Sequence, residues 1–194
     1  MSDLETAGAA IEAGDLVVYP TETVYGLAAN ALDPAAVDRL FALKGRDRSK
    51  PVSIALSSVE DALTYVDATD REREFMRAFL PGPVTVLCAR RESIPDAVTG
   101  GRERVGVRVP DCDLALALCE RVAPLPITAT SANRSGEANA RRVADLDPAI
   151  RETAVVLDGG ETPGGESTVV DVSSGTILRR GEHAGAIERW LAEH

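Results

Sequence analysis

"SDLETAGAAIEAGDLVVYP", residues 2–20, holds the alternation that decides the fold. Ser2 and Glu5 read as a capping box, and Leu4, Ala7 and Ile11 fall on one helical face. Gly14 stops that helix, and residues 15–20 then read as a short buried strand. The same alternation continues outward. Asp33 and Pro34 mark an N-cap with proline at the first helical position. From there Val37, Leu40, Phe41 and Lys44 keep i, i+3, i+4, i+7 spacing, so Lys44 is predicted at the end of a helix whose apolar face is packed. Further strands are predicted at 52–56, 83–89, 104–110, 125–130, 154–159, 168–173 and 176–180. Helices are predicted near 58–66, 70–80, 113–123 and 186–194. Several late strands follow one another with only loops between. The expected architecture is therefore α/β: a single-domain, twisted, mixed parallel/antiparallel sheet flanked by helices, covering residues 1–194.

The chain carries 21 Lys and Arg against 31 Asp and Glu, a net charge of -10, and only two lysines, Lys44 and Lys50. Such a balance suits a salt-rich cytoplasm, where charge keeps a protein soluble and salt screens self-repulsion, so a halophilic source is expected. It also argues against a primary nucleic-acid binder, which presents a broad basic face. No apolar run approaches the roughly 18 residues needed to span a bilayer, and the N-terminus resembles no secretory signal; a cytoplasmic protein without membrane attachment is expected. Cys88, Cys112 and Cys119 are odd in number, lack metal-type spacing and read as core cysteines. His183 and His194 are the only histidines, too few for a histidine-rich metal site.

Against this acidic background, Arg39–Lys50 carries five positive charges and one negative, Asp47. A local positive island fits a small anionic ligand, although taken alone it reads as a solvated loop. Neither G-x-x-x-x-G-K-[ST] nor G-x-G-x-x-G occurs. Instead, polar clusters sit at strand ends, where ligands bind in α/β sheets: "YPTETVYGLAANA" (19–31), "KGRDRSKP" (44–51), "RVGVRVP" (104–110), "TATSANRSGE" (128–137), "GESTVVD" (165–171) and "ILRRG" (177–181).

In this order and at these distances the clusters resemble the YrdC-type threonylcarbamoyl-AMP synthase family, from Leu16 to about Gly181. The strongest marks are "PTETVYGL", the K-x-R of Lys44-Gly45-Arg46, the S-x-N of Ser131-Ala132-Asn133, and "STVVD" followed by "ILRRG". The resemblance implies a YrdC-like fold with a concave, positively charged pocket, in the short form without an additional C-terminal domain. It implies a nucleotidyltransferase that turns L-threonine, bicarbonate or CO2, and ATP into threonylcarbamoyl-AMP and pyrophosphate. Mg²⁺ would accompany ATP, with no dedicated protein ligands. The product would pass to a separate tRNA threonylcarbamoyltransferase for N6-threonylcarbamoyladenosine at position 37, so stable nucleic-acid binding is not expected.

The same resemblance assigns roles. Lys44, Arg46, Ser131 and Asn133 form the catalytic group. ATP is met by Lys44, Arg46, Lys50, Arg104, Asn133, Arg141 and Arg179. Threonine is met by Thr23, Tyr25, Arg108, Ser131 and Ser167, with Arg108 on its carboxylate. Strand alternation puts Arg104 and Arg108 on one face. Arg180 is left on the surface. Where relatives carry a serine or threonine, "NARR" (139–142) offers Asn139 or Arg141, and the sequence does not choose between them. Tyr25 reads equally as a core aromatic and Lys50 as a solvated lysine, and an exposed Arg104 without function is the alternative for that residue. The histidine of some relatives near Ala55 is missing. Two rivals remain: a paralogue of the same fold that does not need threonine, and an RNA-binding module, whose affinity would fall steeply with salt.

Overall fold

The computed structural model describes residues 3–194. Ser2, and with it the expected capping box, lies outside the described residues. Helix α1 (Asp3–Glu12) leads into β1 (Val17–Tyr19) and β2 (Gly26–Ala28), and α2 (Pro34–Lys44) follows. Next come β3 (Ser53–Ala55), α3 (Val59–Ala62), β4 (Val66–Asp67), α4 (Asp70–Phe79), β5 (Val84–Arg90), α5 (Asp96–Thr99) and β6 (Arg104–Arg108). The last part holds α6 (Asp113–Val122), β7 (Ile127–Ser131), α7 (Pro148–Thr153), β8 (Val155–Val156), β9 (Thr168–Asp171), β10 (Thr176–Arg179) and α8 (Ala184–Glu193). The strands form one mixed sheet in the order β10-β9-β5-β6-β3-β7-β2-β1-β8, with β4 beside β5. The pairs β1–β8, β3–β6 and β5–β9 are parallel; β5–β6, β3–β7 and β2–β7 are among the antiparallel ones.

The predicted elements form with small differences. The helix predicted near 58–66 ends at Ala62, and its last residues turn into β4. Strand β2 lies inside the "PTETVYGLAA" cluster, and α7 starts at a second Asp-Pro pair, Asp147-Pro148; neither element was expected. Cys88 and Cys119 are buried as expected, whereas Cys112 is half-buried at the N-cap of α6.

Strand alternation divides the sheet into two faces with different fates. One face presents Val18, Leu27, Ile54, Val86, Val105, Val107 and Val170 to a continuous core with α2, α4 and α8. On the other face, α1 and α6 cover only the end made by β1, β2 and β7, through Ala7, Ile11, Leu118 and Val122 against Val17, Ala28 and Ile127. Arg121 pins these two helices together through Glu5 and Glu12 at 3.0 and 2.8 Å. The strands beyond carry Ser53, Thr85 and Gly106 on that face, and a cavity of about 600 Å³ opens there. Small and polar side chains where no helix lies overhead make a concave floor. Gly106 keeps it flat, since a Cβ there would strike the Ser53 hydroxyl and stand 2.7 Å from Thr85 Cγ2. Gly106→Ala is therefore expected to lower stability by about 1–3 kcal/mol, as overpacking does, measured by urea denaturation. An unchanged midpoint would mean that the floor is not closely packed.

Candidate active site

Helix α2 delivers the K-x-R pair. Its start is fixed by the Asp33 carboxylate, which accepts from the Ala35 N–H at 2.9 Å, with Pro34 at the first turn. Its end is Gly45, left-handed at φ 57°, whose N–H bonds back to Ala42. That turn sends neighbouring side chains to different places. Lys44 stays on the apolar stripe with Val37, Leu40 and Phe41 and is 2% exposed. Arg46 reaches the cavity wall.

The Lys44 ammonium donates to the main-chain carbonyls of Ser131 and of Asn133, the latter at 2.6 Å. The S-x-N segment is thus fastened to the end of α2, and the Ser131 hydroxyl donates to the Asn133 side-chain oxygen. The Asn133 amide in turn holds the carbonyls of Arg134 and Glu137 at 2.8 Å each. Arg46 donates to the carbonyls of Lys50 and Pro51 at 3.2 and 2.9 Å, bracing the loop between α2 and β3. The structure therefore brings Lys44, Arg46, Ser131 and Asn133 into one neighbourhood. Arg46 and Ser131 line the cavity, whereas Lys44 works from behind its wall. Burial, with the like charge of Arg46, holds the Lys44 pKa down at about 8, and burial lowers that of Arg46 too.

A second cluster stands on β6 and the turn before β2. Arg108 Nη2 donates to Glu22 Oε1 at 2.7 Å and to Thr23 Oγ1 at 3.2 Å. The hydroxyl directions follow from supply and demand. Thr21 gives its proton to the Val24 carbonyl at 2.7 Å, so in the 3.0 Å contact between the two threonines Thr23 must be the donor. Thr23 therefore turns lone pairs, not its proton, toward Arg108 and the cavity it lines. Ser167 is 4% exposed, and its hydroxyl and carbonyl accept from Arg179 at 2.6 and 3.0 Å; both residues line the cavity.

The remaining expected residues are placed as follows. Tyr25 lines the cavity with a buried ring. Its hydroxyl donates to the Gly160 carbonyl at 2.8 Å and accepts from the Gly159 N–H at 3.1 Å, tying down the glycine-rich loop at 158–166. Arg104 shares the cavity face with Arg108, but its guanidinium is engaged by Glu72 at 2.9 Å, Asp171 at 3.1 Å, Ser173 and the Leu87 carbonyl. Of the pair in "NARR", Asn139 lines the cavity, while Arg141 pairs with Glu161 at 2.9 Å and donates to the Thr162 carbonyl. Lys50 is exposed and does not line the cavity. Arg180 pairs with Glu188 on the surface. Among the lining or pairing residues that escaped the sequence reading are Tyr19, Arg102 and Glu22. Tyr19 was findable as the alternate residue of β1; the other two carry no periodic signal. Arg46, Arg102, Arg104, Arg108 and Arg179 line the cavity against Glu103 and Glu166.

Lys44→Met removes the donor to two carbonyls and is expected to cost about 2–4 kcal/mol. The titration gives a sharper check. Because the folded pKa is about 8 and the ordinary value 10.5, the unfolded chain holds the proton that the folded chain has shed between those limits. Lys44 therefore makes wild-type stability rise with pH in that window. Cys88 and Cys119, pushed up by burial to about 12, act in the opposite sense above pH 9 but equally in both proteins. The wild-type minus Lys44→Met difference in unfolding free energy should therefore grow from pH 8 to 10.5; a flat difference would refute a buried, titrating ammonium.

Comparison with known proteins bears on this site. The Sua5/YciO/YrdC family model, described as "Telomere recombination", matches residues 9–181. A threonylcarbamoyl-AMP synthase of Pyrococcus abyssi is 41% identical over 88% of this chain and 51% of its own length. One from Photobacterium profundum is 31% identical over 93% of this chain and all of its own length. The crystal structure of P. abyssi Sua5 complexed with L-threonine superposes with a TM-score of 0.84 at 38% identity, covering 92% of this chain and 54% of that one. The chain thus spans about half the length of the Pyrococcus relative. With the family match running through every strand of the sheet and both clusters of the cavity, the chain belongs to the Sua5/YciO/YrdC family.

Proposed function

We propose that this protein is an L-threonylcarbamoyladenylate synthase: L-threonine, bicarbonate or CO2, and ATP give threonylcarbamoyl-AMP and pyrophosphate. The observation that carries the reading is the meeting of two clusters on one cavity of about 600 Å³, Arg46 with Ser131 and Arg108 with Thr23 and Ser167. That volume lies within the range of small-molecule and cofactor sites. The names of relatives at 31–41% identity, and the threonine complex of one of them, support the same substrates.

The chemistry accounts for the residue types. The threonine amine takes up CO2 as an N-carboxy group, whose oxygen attacks the α-phosphorus of ATP while pyrophosphate leaves. Two anions must be brought into line, so catalysis rests on positioning and on offsetting their repulsion. Arg108 takes the amino-acid carboxylate, and the lone pairs of Thr23 accept from a substrate N–H or O–H. Arg46 and Arg179 face the phosphates, while Lys44 holds the S-x-N turn that presents Ser131 and Asn133. Arg104 and Arg141, held by carboxylates, are left with less freedom to meet nucleotide than Asn139, which this reading prefers. Mg²⁺ enters as part of the ATP complex, bridging phosphate oxygens. The adenylate is then passed to a separate tRNA-modifying transferase in a salt-rich cytoplasm, and this acidic chain does not hold tRNA stably.

The test is pyrophosphate release in molar KCl with Mg²⁺ and ATP, omitting threonine and bicarbonate in turn. Release that needs both is expected. Release without threonine would overturn the reading in favour of a same-fold paralogue.

A further inference from the structure

The Arg108–Glu22 pair differs from the other partly buried pair on the same strand. Arg104 divides its two terminal nitrogens among Glu72, Asp171, Ser173 and the Leu87 carbonyl, as a structural arginine does. Arg108 bonds through one nitrogen alone: Nη2 meets both Glu22 and Thr23. Its Nε is buried without a partner, as is that of Arg104, so what sets this pair apart is the unpaired Oε2 of Glu22 and the idle Nη1 of Arg108. Nη1 has no acceptor among the described residues, although Arg108 lines the cavity. The side chains of the pair are only 13% and 12% exposed. An ion pair taken this far out of water is favourable only when its remaining atoms are satisfied, and this one keeps donors in reserve.

We propose that Glu22 is a positioning residue, holding the Arg108 guanidinium through Nη2 so that its Nη1 N–H groups meet the carboxylate of an amino-acid substrate. Glu22 does not itself line the cavity and acts through Arg108. It also offsets the guanidinium charge, so recognition rests on the geometry of the remaining donors rather than on bare attraction for any anion. Both two-nitrogen edges of the guanidinium include the engaged Nη2, so Nη1 offers a carboxylate oxygen a single directed contact. The assignment rests on the synthase reading for the identity of that substrate.

The experiment compares wild type, Glu22→Gln and Glu22→Ala, with KM for threonine and for ATP measured separately. Glu22→Ala is expected to raise threonine KM about 10- to 100-fold, the usual effect of misplacing a binding group, with ATP KM within about twofold. Glu22→Gln keeps an acceptor oxygen and should fall between. Threonine KM that stays unchanged, or rises in step with ATP KM, would overturn the proposal. A second readout needs no turnover: the Arg108 Nε–H resonance in ¹⁵N-arginine-labelled protein, assigned through Arg108→Lys. It should be sharp and slowly exchanging in wild type and broadened in Glu22→Ala; persistence there would overturn the hold. If wild type shows no threonine-dependent release, the synthase reading fails, and the resonance still decides whether Glu22 fixes Arg108.

Discussion

The sheet has more surface than its helices cover, and the uncovered part had to be made of residues that tolerate water. Helices α1 and α6 close one end of the second face, and beyond them β3, β6 and β5 turn Ser53, Gly106 and Thr85 outward while Ile54, Val107 and Val86 go into the core. The same strands thus serve a dry layer and a wet floor, because their side chains alternate with period two. The candidate site is suspended around that floor. The S-x-N segment comes from the end of β7, Arg108 from the end of β6, and Ser167 from just before β9.

Charge placement follows from what each position can hydrate. Three successive residues, Lys44, Gly45 and Arg46, have three fates because one left-handed glycine bends the chain between two cations. The ammonium, compact and with three donors, goes inward, where two carbonyls accept it. The guanidinium, broader and more weakly hydrated, goes to the cavity wall. Of the two lysines in a chain that otherwise carries its positive charge on arginine, one is buried here and the other, Lys50, is exposed.

Local patterns made much of this legible. The spacing from Val37 to Lys44 showed that Lys44 shares a packed face, and all four of those residues are buried. The alternation of "RVGVR" put Arg104 and Arg108 on one face, where both line the cavity. Long-range partners were out of reach. Glu72 and Asp171, which take hold of Arg104, are 32 and 67 positions away in the chain, and Glu22 meets Arg108 across 86. Short elements were hidden for another reason. Helix α7 has six residues with only Ile150 buried, too few for a stripe, and β2 reads Gly-Leu-Ala, a composition without strand preference.

The wall that carries Ser167 and Arg179 is built on the last two strands of one edge of the sheet, where β10 has β9 as its only neighbour among the described residues and leaves Leu178 57% exposed. An edge can be rebuilt without disturbing a core. Over evolutionary time this wall is the place where the cavity can be reshaped, while the floor under it, shared with the central strands, stays as it is.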